Sequence, residues 1–178
     1  GTSVSLSIVP DEGFLLKMIL VNSQDVTADV KNSQYVISEM KGDISVEVTF
    51  ERTYTLKVLS TGNGSVSYNG TTIRNEERTF EPKEGSAISL TITPDEGYRL
   101  KSVTANGQDV TVNVVDRQYT ISELNDNTSI KVEFEAIPQY MLNIAVSGNG
   151  SVSYGDNIIR NQSQNYSLME GSTATISI

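Results

Sequence analysis

The sequence contains no cysteine, no histidine and no tryptophan. Without them there can be no disulfide, no thiolate nucleophile, no histidine-based triad and no zinc site of the usual ligand sets, and most acid–base catalysis near neutrality is lost with the imidazole. Basic residues are also scarce, with 13 Lys and Arg against 22 Asp and Glu for a net charge of -9. That surplus repels phosphate backbones and anionic lipid, so neither nucleic acid nor a membrane surface is an expected partner. Long apolar runs are missing as well: the longest, Phe14 to Val21, is eight residues and holds Lys17. Spanning a bilayer takes about 20. The N-terminus carries no basic and apolar pattern of a signal peptide, which leaves a cytosolic chain or a piece of a longer exported protein. Residue order favours the second.

What is abundant is equally informative. Val, Ile and Thr together number 50 of the 178 residues, and Ala only six. β-branched side chains suit a pleated sheet and lose rotamer freedom in a helix, so the chain is expected to be all-β with little or no helix.

The chain repeats itself. Placing Pro10-Asp11-Glu12-Gly13 on Pro94-Asp95-Glu96-Gly97 aligns residues 2–51 with 86–135 at an offset of 84, with 24 of 50 positions identical. Placing Gly62-Asn63-Gly64-Ser65-Val66-Ser67-Tyr68 on Gly148 to Tyr154 aligns 54–92 with 140–178 at an offset of 86, with 16 of 39 identical. The two-residue difference falls between Glu51-Arg52-Thr53-Tyr54 and Glu135-Ala136-Ile137-Pro138-Gln139-Tyr140, where varying length and a proline mark a linker. The simplest division is therefore 1–52 as the second half of a module, 53–136 as a complete module and 137–178 as the first half of another. Cutting at the Glu-Gly pairs instead gives modules 1–84 and 85–170 with a trailing strand. Gly1 aligns with Gly85 and Gly171, and is either native or a tag remnant.

Within each repeat apolar and polar residues alternate, as in Ile88, Leu90 and Ile92 or Ile44, Val46, Val48 and Phe50. Period-two alternation predicts strands with one buried face. Between them stand Asn69-Gly70, Asn106-Gly107, the Pro-Asp-Glu-Gly loops and Gly-Asn-Gly, each suited to tight turns, with Gly-Asn-Gly read as a hairpin turn. Strands recurring every 8 to 12 residues predict tandem antiparallel, β-sandwich-like modules of about 84 residues.

Candidate sites can be weighed by comparing the copies. All twelve aromatic residues fall into six paired columns: Phe14/Tyr98, Tyr35/Tyr119, Phe50/Phe134, Tyr54/Tyr140, Tyr68/Tyr154 and Phe80/Tyr166. Phe stands for Tyr in two of them, so volume rather than hydroxyl chemistry is what those columns need, and all six are expected in the core. The alternative is an exposed row stacking on sugar rings, for which Tyr68 and Tyr154 beside the Gly-Asn-Gly turns are the candidates. Asp11, Glu12, Asp95 and Glu96 are weak candidates for calcium, since hard cations take clustered oxygens, but a turn of Pro, Asp and left-handed Gly explains them without metal. Ser38-Glu39-Met40-Lys41 fits a Ser-x-x-Lys nucleophile pattern, yet Asn125 replaces the lysine in the other copy. Nothing forms a convergent catalytic set, so no catalytic residue, metal or cofactor is expected.

Ser65-Val66-Ser67-Tyr68, Pro82-Lys83-Glu84-Gly85-Ser86, Pro94-Asp95-Glu96-Gly97-Tyr98 and the closing Ser129-Ile130-Lys131-Val132-Glu133-Phe134 together resemble the divergent internalin (InlB-type) B-repeat of bacterial surface proteins. The resemblance supports a module from Tyr54 to Glu135. It implies an exported, surface-displayed array beside adhesive modules, with no catalytic residues to transfer. It also implies a β-grasp-like topology, whereas strand spacing points to an Ig-like sandwich; both stay open here. The expected function is a non-catalytic spacer or stalk for an adhesive head, at the cell surface or secreted. The alternative is a glycan- or protein-binding module using exposed Tyr or sheet edges. If the two end segments are half-modules, their unpaired edges should also promote self-association between chains.

Overall fold

The computed structural model describes residues 2–178, so Gly1 lies outside the described residues. The chain is all-β. Its first part forms β1 (Val4–Ser7), β2 (Phe14–Val21), β3 (Gln24–Asp25), β4 (Gln34–Ile37) and β5 (Val46–Arg52). The middle supplies β6 (Leu56–Thr61), β7 (Gly64–Tyr68), β8 (Thr71–Ile73), β9 (Glu77–Phe80), β10 (Ile88–Pro94), β11 (Tyr98–Ala105), β12 (Gln108–Asp109), β13 (Gln118–Ile121) and β14 (Thr128–Ala136). The last part adds β15 (Gln139–Ala145), β16 (Val152–Tyr154), β17 (Asn157–Ile159), β18 (Ser163–Met169) and β19 (Ile176–Ser177). Among the described residues, helix is confined to two single 3₁₀ turns, Thr27–Asp29 and Thr111–Asn113.

Strands β6 to β14 build two sheets, a four-stranded one in the order β13-β10-β7-β8 and a five-stranded one in the order β12-β11-β14-β6-β9. All neighbours are antiparallel except β6 and β14, which run parallel with Val58 opposite Ile130 and Ser60 opposite Val132. The alternating residues face one shared core. Val66, Ile73, Ile88, Leu90 and Ile92 enter it from one sheet and Leu56, Val58, Val103, Ile130 and Val132 from the other, none more than 1% exposed. Burying each such side chain stabilises the fold by about 1.5–3 kcal/mol.

The end segments have much less interior. Strands β1 and β4 pair in one two-stranded sheet and β3-β2-β5 in another, around a small core of Ile8, Ile19 and Val26. Strands β15-β18 and β17-β16-β19 form the last two sheets, where Ile144 and Ile159 are the buried apolar residues. No strand of the first segment pairs with a strand of the last among the described residues.

Two-residue turns set the register of the short hairpins. Asn69-Gly70 joins Tyr68 to Thr71, and Asn106-Gly107 joins Ala105 to Gln108, with all four turn residues at positive φ as a type I′ hairpin demands. Gly-Asn-Gly departs from the hairpin expectation. Gly62 and Asn63 carry the chain from β6 in the five-stranded sheet to β7 in the four-stranded one, so the turn is an arch between sheets. The cause is a close approach. A Cβ on Gly64 would stand 2.6 Å from the Phe134 ring, and one on Gly62 would stand 2.5 Å from the Phe134 carbonyl oxygen. Only a residue without a side chain lets the crossing chain lie on that phenyl ring.

Candidate functional site

Tyr68 sits at the end of β7 with 6% of its surface exposed, its ring edge-on to Phe80 at 4.9 Å between centroids. Burial pushes its phenol pKa up. A ring in that position presents no flat face to a sugar, which corrects the reading of Tyr68 as an exposed platform. Tyr154 makes the matching edge-on pair with Tyr166 at 4.6 Å and is half-buried. The expectation that all six aromatic columns are core holds only in part. Tyr119 and Phe134 are buried, but Phe50 is 40% and Tyr140 60% exposed.

The acidic loops serve joints and turns. Asp95 accepts two hydrogen bonds from Arg74, 2.7 Å from Nη1 and 3.1 Å from Nη2, and this guanidinium holds the carboxyl below the usual carboxylate range. Asp11, Glu12 and Glu96 are exposed, and no group of three acidic side chains converges on a metal position among the described residues. The structure therefore brings the four carboxylates into two separate loops, not into one site.

These loops stand where one segment passes into the next. The Gly13 carbonyl accepts the Thr53 N–H at 2.8 Å, and the Gly97 carbonyl accepts the Ile137 N–H at 2.9 Å. On the other flank Glu84 N–H donates to Arg52 O at 2.9 Å, and Glu170 N–H to Pro138 O at 2.7 Å. The Tyr54 hydroxyl reaches Glu84 at 3.1 Å and the Tyr140 hydroxyl reaches Glu170 at 3.5 Å. An ion pair then crosses each joint, Lys83 to Glu51 at the first and Arg99 to Glu170 at the second, where Arg99 also pairs with Glu135 of its own sheet. Sequence reasoning did not single out these charged residues. The signal was nonetheless present, since Tyr54 with Glu84 and Tyr140 with Glu170 occupy the same two repeat columns.

Beside the first joint lies an open groove of about 450 Å³ between Leu15 of β2 and Tyr68, Phe80, Pro82 and Lys83. Glu81, Ser86 and Asn69 complete its wall, so apolar surface is mixed with a carboxylate, an amine, a hydroxyl and an amide, a lining able to hold a small partly polar group.

A family model described as the divergent InlB B-repeat domain matches residues 54–138. A search of the curated proteins finds no match. The matched span begins at the first clamp and ends at the second, and it holds both sheets that share the large core. Over residues 54–138, a little under half of its length, the chain is therefore similar to the divergent InlB B-repeat domain.

Proposed function

We propose that the chain is a non-catalytic spacer from a bacterial cell-surface or secreted protein, a stalk that holds an adhesive head away from its attachment point. The module division behind this reading is 1–52, 53–136 and 137–178. The observation that carries it is the duplicated joint. Only Thr53, Tyr54 and Thr55 separate β5 from β6, and only Ile137 and Pro138 separate β14 from β15. Links this short, clamped on both flanks by the same backbone hydrogen bonds, leave little room for hinge motion. The family is a structural repeat domain and not a known enzyme family. Among the described residues no helix is long and apolar enough to cross a membrane.

The test uses the absence of native cysteine. Spin labels on Lys17→Cys and Lys101→Cys occupy the same exposed repeat column on either side of the first joint. A single narrow distance distribution is expected, sharpened by nothing else in solution and broadened by a Gly-Ser insertion after Thr53. A broad distribution in the parent chain would remove the spacer reading. A glycan- or protein-binding role has the Leu15 groove as its place, and would show as a ligand released by Leu15→Asp.

A further inference from the structure

The two joints follow one plan with the basic residue moved. Glu51 and Glu135 share a repeat column, as do Glu84 and Glu170, so each joint carries the same two carboxylates, one from either flank. The cation between the flanks differs. At the first joint Lys83, from the module that follows, reaches back to Glu51. At the second Arg99, from the module that precedes, reaches forward to Glu170 at 2.6 Å and holds Glu135 at 2.7 Å. The column of Lys83 reads Met169 at the second joint, and the column of Arg99 reads Leu15 at the first. Each joint therefore uses one of two cation positions, and the middle module supplies both cations.

The two unused positions match the used ones in geometry. Leu15 stands opposite Glu51 across β2 and β5 as Arg99 stands opposite Glu135 across β11 and β14. Both Leu15 and Met169 are 41% exposed, so a charged head there would lie in water. The ion pairs themselves are open to solvent, with side-chain exposures of 60% and 20% for Lys83 and Glu51 and of 47% and 42% for Arg99 and Glu170. Exposed pairs are screened by salt, because the Debye length falls from about 30 Å at 0.01 M to about 3 Å at 1 M. The backbone hydrogen bonds from Thr53 to Gly13 and from Ile137 to Gly97 join uncharged groups and are not screened in this way.

We propose that one ion pair locks each joint and that ionic strength sets how stiffly neighbouring modules are held, the Leu15/Arg99 and Lys83/Met169 columns deciding how far salt loosens each joint. The inference rests on the spacer reading and makes its joints adjustable. An exposed pair shifts the ratio of locked to loose joint by up to roughly fivefold, enough to change the spread of angles without undocking the modules.

Spin-label distances across both joints test it. Lys17→Cys with Lys101→Cys spans the first, and Lys57→Cys with Asn143→Cys, a second pair of exposed residues in one repeat column, spans the second. Each distribution should be narrow at about 0.01 M salt and broaden by about 1 M. Glu51→Gln should broaden the first at low salt and leave the second unchanged, and Glu170→Gln should do the reverse. Supplying the other cation, Leu15→Arg at the first joint and Met169→Lys at the second, should keep each distribution narrow to higher salt. Repulsion among the 22 acidic residues would also respond to salt, but loss of a carboxylate would then relieve it. A narrower distribution in Glu170→Gln therefore overturns the proposal, as does a parent chain whose widths are narrow and equal at both salt concentrations. Widths already broad at low salt overturn the spacer reading, and this inference with it.

Discussion

The guanidinium of Arg74 forks onto the carboxylate of Asp95 across 2.7 Å and 3.1 Å, joining the end of the β7–β8 hairpin region to the loop before β11. The same carboxylate that sequence reasoning weighed as a calcium ligand thus accepts two charge-assisted hydrogen bonds from arginine. A cation would have to displace that arginine. Thermal melts in EDTA and in millimolar calcium should therefore coincide, because a ligand that binds only the native state raises its stability by mass action. An upward shift with calcium would reopen the loops as a site.

Phe134 and Phe50 occupy one repeat column in opposite circumstances, and truncation should separate them. Phe134→Ala should cost about 3–5 kcal/mol in denaturant titration, as expected of a buried ring in the shared core. Phe50→Ala should cost clearly less, since the ring is 40% exposed. The glycines that face these rings should mirror the difference, with Gly64→Ala destabilising by about 1–3 kcal/mol through overpacking and Gly150→Ala near neutral. Equal costs in either pair would contradict the contrast between the packed Phe134–Gly64 contact and the open space at Gly150.

Ser60 is fully buried in β6, and its hydroxyl has no hydrogen-bond partner among the described residues. The other copy carries Val146 in this column. Ser60→Val removes a desolvated hydroxyl and fills the same space with carbon, so the melting temperature should rise. A fall would show that the hydroxyl is satisfied in solution.

Backbone conformation carries a paired prediction. Gly97 has φ +78°, where a side chain is strained, so Gly97→Ala should destabilise by about 1 kcal/mol. Ser23 has φ +65° in a turn where the other copy has Gly107. Ser23→Gly should then stabilise by several tenths of a kcal/mol. Opposite signs on a single denaturation series are the expected outcome; a neutral Gly97→Ala would count against the left-handed turn.

Acid stability should follow the carboxylates. Asp25 and Asp109 each accept hydrogen bonds from the side chain and backbone N–H of the threonine two residues on, which lowers their pKa. A depressed folded-state pKa contributes stability that is complete above the unfolded value near pH 4 and is lost as pH falls through the folded value. With no histidine in the chain, stability should be flat from about pH 5 to 8 and decline below about pH 4. Asp109→Asn keeps an acceptor oxygen but removes the titration, so its acid decline should be shallower. An unchanged slope would assign the acid sensitivity elsewhere.

Much of this was legible in the residues. Alternation at Ile88, Leu90 and Ile92 identified a buried strand face, and Asn-Gly pairs marked hairpins, because both signals are local and each residue carries its own conformational preference. The Gly-Asn-Gly turn misled for the complementary reason. Its glycines are required by Phe134, some seventy residues away, and a turn sequence does not say whether the next strand stays in the same sheet. Phe134 and Phe50 show the same limit from the side of burial, since rings in one repeat column end buried or 40% exposed according to which strands stand over them.

The sequence by itself determined the all-β class, the repeat and its two offsets, the positive-φ turns and the absence of cysteine, histidine and tryptophan. All of these follow from composition, spacing and local stereochemistry. Tertiary structure alone decided that β6 and β14 close the module as a parallel pair, that Arg74 takes Asp95, and that the Phe134 ring lies against Gly64. Those outcomes depend on contacts between residues far apart in the chain, where pairing is selected by the packing of a shared core and not by the preferences of any one segment.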